Sequence, residues 1–261
     1  MVGSKDQQAE ASMKDRIYIE AVARAFRLME AFSDTPEPQT LSQLAASAGI
    51  DKSAAQRVAH TLGRLGYLEQ VNGGLVPGRR LLERGFDYLR TNPLVERAIP
   101  ILTDLRRNVQ ERVDLSLFDD LTMLYLVRLQ SKRDTFFAHL IGRRVPTFCT
   151  SGGRAVLAAL PDEEVLDILA RSDLRKLTPR TTTEIDEILE SVTRVRNTGY
   201  SLAIEQVQIG ELAVAAALID KQARPIGAIH VAGSLGEWEP ETFEKRIAPL
   251  VVGAAKALSS N

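Results

Sequence analysis

Residues 40–67, TLSQLAASAGIDKSAAQRVAHTLGRLGY, constrain the fold more tightly than any other stretch of the chain. Leu41, Leu44, Ala45 and Ala48 recur at the three- and four-residue steps of one helix face, with Thr40 before them as an N-cap and Gly49 after them as a stop. Asp51 then caps a second helix, whose apolar positions are Ala55, Val58, Ala59, Leu62 and Leu65. Two short helices joined by a glycine-containing turn form a helix-turn-helix. The other faces of the second helix carry Lys52, Ser53, Gln56, Arg57, His60 and Arg64, with no acid after the cap. These are the side-chain types that contact phosphates and base edges. Tyr67, Leu68 and Val71 then lead into Asn72-Gly73-Gly74, followed by Leu75 and Val76, which is a hairpin signal. Helix, turn, helix, hairpin is the order of a winged helix-turn-helix. Small helical hairpins also occur in domains that never touch DNA. The punctuated turn, the acid-free helix and the wing in one run favour the DNA reading.

Charge then limits how such a unit works. The chain has 261 residues, 33 Lys and Arg against 34 Asp and Glu, and a net charge of −1. Residues 17–80 hold seven basic against six acidic side chains. No bulk field draws the chain to DNA, so affinity must come from local placement of cations and from pairing of two copies. An apolar fraction of 44% builds real cores, and the length suits two ordinary domains. One cysteine excludes an internal disulfide framework and fits a reducing cytoplasm. No apolar run approaches the ~20 residues of a membrane span, and the N-terminus lacks an apolar signal core.

Taken in order, residues 1–16 are polar and read as a disordered tail. Residues 17–32 carry Ile19, Val22, Phe26 and Met29 and form the first helix of a DNA-binding domain spanning 17–79. Residues 80–95 are a linker helix, with a break at Asn92-Pro93 and further helix to Val109. The apolar residues of this connector serve either self-association or internal packing. Residues 96–261 form a second domain. Within it, Val113, Leu115 and Leu117, then Met123, Tyr125 and Val127, alternate about an Asp119-Asp120 turn. A third short strand is expected over 136–141 and an irregular loop over 142–150. Asp162 is expected to cap a helix, and Thr181 with Glu184 to form a capping box. Strands over 200–205, 213–219 and 226–231 and a closing helix over 239–258 complete an α+β domain, an antiparallel sheet with helices on its faces.

Three stretches carry a resemblance that covers nearly the whole chain. They are LSQLAASAGIDKSAAQRVAHTLGRLGYLEQ, RRVPTFCTSGGRAVLAALP and GYSLAIEQVQIGELAVAAALIDKQARPIGAIHVAGSL. In this order they resemble the IclR family of bacterial transcriptional regulators. Arg154 stands where the family usually has lysine. The wording Thr147, Cys149, Thr150, Ser151, Gly153, Arg154 is similar to the branch that controls aromatic-acid catabolism. The resemblance implies a winged-helix reader joined to a GAF-like effector-binding domain. It further implies a homodimer or dimer of dimers, a double-stranded DNA operator and a small carboxylate or aromatic-acid effector, with no cofactor and no membrane partner. The function implied is a ligand-responsive regulator of a catabolic operon, read as a repressor, with an activator of aromatic-acid degradation genes as the alternative.

The same resemblance lays residues 52–64 in the major groove. Ser53 and Arg57 would then hold the phosphate backbone, while Lys52, Gln56 and His60 reach base edges or nearby phosphates. It puts Phe137, Ser151, Gly152, Ala203, Glu211, Ala213, His230 and Ala232 at or near effector-lining positions, with Cys149 beside them. An aspartate of the glyoxylate- and pyruvate-sensing pattern is Ala203 here, and serines are His230 and Ala232, which argues against a small keto acid. His230 is either a satisfied strand histidine or a ligand contact, and Cys149 reads best as a small buried apolar residue. A competing class is a hydrolase or metal site built from Cys149, His230 and Glu211. The chain lacks a local spacing signature for it, and lacks HExxH, P-loop, GxGxxG and GxSxG motifs.

Overall fold

The computed structural model describes residues 17–32, 37–131 and 142–259. Contacts divide the chain into two compact units, Met1–Thr91 and Asn92–Asn261. The boundary falls inside the segment read from sequence as a linker.

In the first unit, helix α1 spans Glu20–Glu30, α2 Leu41–Ala48 and α3 Lys52–Arg64. Thr40 and Gln43 close a reciprocal capping box at the start of α2, and Gly49 ends it at φ 61°, a left-handed turn that leads straight to the Asp51 cap of α3. Strands β1 (Leu68–Val71) and β2 (Gly74–Pro77) pair antiparallel as the wing. Leu28, Leu44, Ala45, Ala48, Ala55, Ala59 and Leu68 form the core beneath them. The alanines let the three helices approach closely. Helix α4 spans Arg80–Thr91 and buries none of its residues.

The second unit begins with α5, Pro93–Val109, so residues 80–95 do not form one helix. Asn92 separates α4 from α5 and accepts the Leu94 amide on its side chain. There follow β3 (Arg112–Asp119), β4 (Thr122–Leu129), β5 (Arg144–Pro146), α6 (Ser151–Ala158), α7 (Asp162–Arg171), α8 (Ile185–Thr198), β6 (Ser201–Ile204), β7 (Glu211–Ile219), β8 (Pro225–Ser234) and α9 (Pro240–Ser259). The six strands form one antiparallel sheet in the order β5-β4-β3-β8-β7-β6.

The alternation of side chains along β8 decides what each face does. A Cβ on Gly233 would meet the Phe243 ring of α9, whereas one on Gly152 of α6 would meet the ring of His230. Odd positions of β8 therefore face α9, with α5 packed beside it on β3 and β4. Even positions, Ala228, His230 and Ala232, face α6. Register carries this face across the sheet to Arg112, Asp114 and Ser116 on β3, Ala213 and Ala215 on β7, and Ala203 on β6.

Four sequence expectations are corrected. The 142–150 loop contains strand β5, which pairs with β4. Asp162 is the first residue of α7 and not its cap; Pro161 takes that place with no side-chain bond, and Asp162, Glu163 and Glu164 lie in the positive first turn. Thr181 and Glu184 form no capping box, because Glu184 itself is the N-cap and makes no side-chain bond. The Thr181 hydroxyl instead accepts the Leu177 and Thr178 amides and donates to the Gln206 carbonyl. The first helix starts at Glu20, three residues after the expected position. The strand expected over 136–141, the tail over 1–16 and Phe137 lie outside the described residues.

Candidate functional site

On α3, Ala55 and Ala59 are buried against the other helices, and helical periodicity turns Lys52, Ser53, Gln56, Arg57, His60 and Arg64 outward, all exposed. Their electrostatic setting differs from that of the other cations of this unit. Arg24, Arg27, Arg79, Arg84 and Arg90 each lie within 4.0 Å of a carboxylate. Arg80 bonds the Leu65 carbonyl and lies over the Tyr67 ring. Arg57 and Arg64 have no side-chain partner among the described residues. With no acid between Asp51 and Glu69, the exposed face of α3 carries uncompensated positive charge.

The second unit holds a cavity of about 220 Å3 on the α6-facing side of the sheet. Its floor is Ala203, Ala213 and Ala232. Tyr125, Val145 and Val207 form apolar walls, and Arg112, Asp114, Glu211 and His230 bring polar groups from three strands. Thr150 and Ser151 enter from the start of α6, Gln206 and Gln208 from the β6–β7 loop, and Arg143 from the residue before β5. Of the residues expected from sequence, the structure brings Ser151, Ala203, Glu211, Ala213, His230 and Ala232 to this cavity. Gly152 does not line it but lies against His230. Cys149 is fully buried in the core formed by α6, α7 and α8 and is not part of the wall. Burial pushes its thiol up to about 12, opposite to what a nucleophile needs.

The acids of the cavity are already neutralised. Arg112 Nε and Nη1 reach Asp114 Oδ2 at 2.9 Å and Glu211 Oε2 at 2.8 Å, and Arg128 Nε holds Asp114 Oδ1 at 2.8 Å. Burial works against the charge on Arg112, and the carboxylates of Asp114 and Glu211 outweigh it and raise its pKa. Complete burial drives His230 down to about 4, Arg112 and Arg128 act in the same direction, and Asp114 opposes them. The ring is therefore neutral at physiological pH. The Tyr125 ring lies 5.6 Å from it, and burial raises the Tyr125 hydroxyl pKa.

What remains unneutralised is positive. Arg143 is exposed and makes no ion pair among the described residues. The Ser151 hydroxyl has no hydrogen bond there either, and the first amides of α6 have no intrahelical acceptor. Thr150 satisfies only the Gly153 amide. A helix N-terminus, and a hydroxyl and a guanidinium without partners among the described residues, around one small chamber attract an anion. Arg154 is buried and joins the Phe148 carbonyl to Gln206 Oε1, which ties the β6–β7 loop to the start of α6. Arg112, Asp114 and Arg143 went unrecognised in the sequence. The first two alternate with Val113 and Leu115 and read there as the polar side of a half-solvated strand. Among the described residues no group of three or more His, Cys, Asp or Glu is placed to hold a metal, and no helix is long and apolar enough to cross a membrane.

Comparison with known proteins gives matches over both units. The IclR helix-turn-helix domain matches residues 21–72, and the C-terminal domain of bacterial IclR transcriptional regulators matches residues 86–260. The Pca regulon regulatory protein of Pseudomonas putida is 26% identical over 261 residues, covering 99% of this chain and 89% of its own. The p-hydroxybenzoate hydroxylase transcriptional activator of Acinetobacter baylyi is 26% identical over 246 residues, covering 92% and 91%. Among solved structures, an IclR-family transcriptional regulator from Brucella abortus superposes with a TM-score of 0.77 at 28% identity, covering 95% of this chain and 94% of that one.

Proposed function

The chain belongs to the IclR family of bacterial transcriptional regulators, and from that premise we propose how it reads DNA and what it senses. It is a regulator and not an enzyme, which retires the hydrolase reading of Cys149, Glu211 and His230. The first unit binds duplex DNA with α3 in the major groove. Lys52, Ser53 and Arg57 hold phosphates and base edges, and Gln56 and His60 face the bases. The observation that carries this reading is the contrast between Arg57 and Arg64, left without a carboxylate among the described residues, and the paired arginines of the same unit.

The cavity of the second unit takes a small aryl carboxylate. Its carboxylate lies toward Ser151, the α6 amides and Arg143, its ring lies on the alanine floor beside Tyr125, and a ring hydroxyl meets Glu211 Oε1. The cationic end and the neutralised acids support this orientation, and the Pca and p-hydroxybenzoate relatives support the ligand class. The protein acts in the cytoplasm as a homodimer or a dimer of dimers. Ile19 before α1, Val22 and Phe26 on α1, and Leu82 and Phe86 on α4 are exposed apolar side chains that a second copy covers. The effector shifts the regulator by binding two arrangements of the dimer with different affinity, transmitted along the chain through α4 and α5.

The test is a titration of a randomised duplex pool at several salt concentrations with Arg57→Ala and, as control, the already paired Arg24→Ala. Loss of affinity in Arg57→Ala with a reduced salt slope supports the reading. Equal affinity for both variants refutes it. A thermal-shift screen against carboxylates reads the second unit. An occupied site adds about 2.7 kcal/mol at a hundredfold excess over Kd, and a screen in which aryl acids fail while short aliphatic acids bind overturns the ligand class.

A further inference from the structure

The aryl-acid reading leaves open what the buried histidine contributes. His230 is 2% exposed and lines the cavity, and its Nε2 lies 2.6 Å from Ser116 Oγ. Nothing among the described residues hydrogen-bonds Nδ1. Nor is Nδ1 sealed in, as the orphaned buried atoms Gln110 Oε1, Gln130 Oε1 and Ser201 Oγ are. Nδ1 is therefore the polar atom that His230 presents to the cavity.

Ser116 determines what kind of atom that is. Ser116 is fully buried, on the same sheet face as His230, and Nε2 is the hydrogen-bond partner its side chain finds. Two proton arrangements satisfy the 2.6 Å contact. If Nε2 carries the proton and donates to Oγ, the serine hydroxyl proton has no acceptor among the described residues, at a cost of about 1–3 kcal/mol. If the hydroxyl donates to Nε2, both atoms of this buried contact are satisfied and the ring proton lies on Nδ1. The hydrogen bond made by one ring nitrogen fixes the state of the other.

We propose that Ser116 is a positioning residue that locks His230 as its Nδ1–H tautomer, so that the cavity presents a neutral N–H donor and selects ligands with an oxygen acceptor at that end. The ring cannot turn away from this role. A Cβ on Gly152 would fall 2.0 Å from His230 Cε1, so α6 closes directly over the ring edge, and Tyr125 backs it. The donor points into the same chamber as Ser151 and the α6 N-terminus, and all of these suit one carboxylate oxygen. The site class is thus an acceptor for a carboxylate or carbonyl; a ligand that offers only a hydroxyl or amine proton at that end meets donor against donor. This rests on the cavity being the effector site.

The experiment is nitrogen-15 NMR of histidine-labelled full-length protein, with and without benzoate. The chain has three histidines, and His230 is assigned by its loss in His230→Gln. In ligand-free wild-type protein at neutral pH the expected pattern has a protonated Nδ1 and a bare Nε2. An Nε2–H pattern overturns the proposal with no variant needed. Ser116→Ala should move the proton to Nε2 and weaken benzoate at least about tenfold, the loss of one charge-assisted donor. Ser116→Thr, which keeps the hydroxyl, should restore both. If the proton moves and benzoate affinity does not change, the ligand-facing role of Nδ1 is wrong. If wild-type protein binds no benzoate, the aryl-acid reading fails, and the ligand-free spectrum still decides the tautomer.

Discussion

Gly152→Ala sets two physical effects against each other at the wall of the cavity. Gly152 is the second residue of α6, and replacing a helical glycine with alanine stabilises a helix by up to about 1 kcal/mol. The new Cβ, however, would lie 2.0 Å from Cε1, 2.5 Å from Nε2 and 3.0 Å from Nδ1 of His230. The ring is not a flexible end that swings aside, since it is buried and held by Ser116. Overpacking of this kind costs about 1–3 kcal/mol, and losing the Ser116 bond adds about 1–3 kcal/mol. The clash outweighs the propensity. The variant should lose about 2–5 kcal/mol, or roughly 5–15 °C in Tm for a unit of this size. Trp238 is the only tryptophan of the chain and packs edge-on to Phe243 within the second unit, so its fluorescence in urea reports that unit selectively. In a His230→Ala background the same substitution should be neutral or stabilising, which gives a coupling energy of at least about 1 kcal/mol. A Gly152→Ala protein as stable as wild type, or a cycle with no coupling, would refute the argument.

Other consequences follow from the same geometry. The His230 pKa is about 4 in the folded chain against 6.5 for a free histidine, so the unfolded chain takes up a proton first on acidification. The folded state should therefore lose about 3 kcal/mol between about pH 6.5 and 4 from this group alone. The wild-type urea midpoint should drop more than that of His230→Gln between pH 7 and 4.5, and parallel slopes would show that His230 contributes nothing. Phe86→Glu changes an exposed side chain of α4, so it should leave the far-ultraviolet circular dichroism unchanged, weaken duplex binding and lower the molecular mass by sedimentation. A variant that keeps mass and affinity removes that face from the dimer. On the wing, a Cβ on Gly74 would lie 2.4 Å from the Gln39 carbonyl at φ 152°, so Gly74→Ala should lower the stability of the first unit by more than about 1 kcal/mol in amide exchange.

Local chemistry made the first unit legible. Thr40, Gly49, Asp51 and Asn72-Gly73 act on neighbours within a few residues, so caps, turn and wing were readable in order. The second unit was legible as strands and helices but not in its caps. Thr181 has the spacing of a capping box, yet its hydroxyl is taken by the Gln206 carbonyl, a partner 25 residues away in sequence. Strand β5 is three residues long and contains a proline, so it gives no periodic signal. The cavity was legible only where the family resemblance pointed. Alternation marks Arg112 and Asp114 as one face of β3, but it does not say whether that face meets water or α6. Nor does sequence pair Ser116 with His230 across 114 residues.

The most direct test of the central claim is a coupled titration. The duplex enriched from a random pool by the full-length protein is titrated with and without a saturating aryl carboxylate found in the thermal screen. The account predicts a duplex with two half-sites about 34–36 Å apart or a multiple of that, and an affinity changed about 5–150-fold by the acid. The His230→Gln variant should show a smaller change. Duplex affinity that is identical with and without an acid known to occupy the cavity would contradict the account.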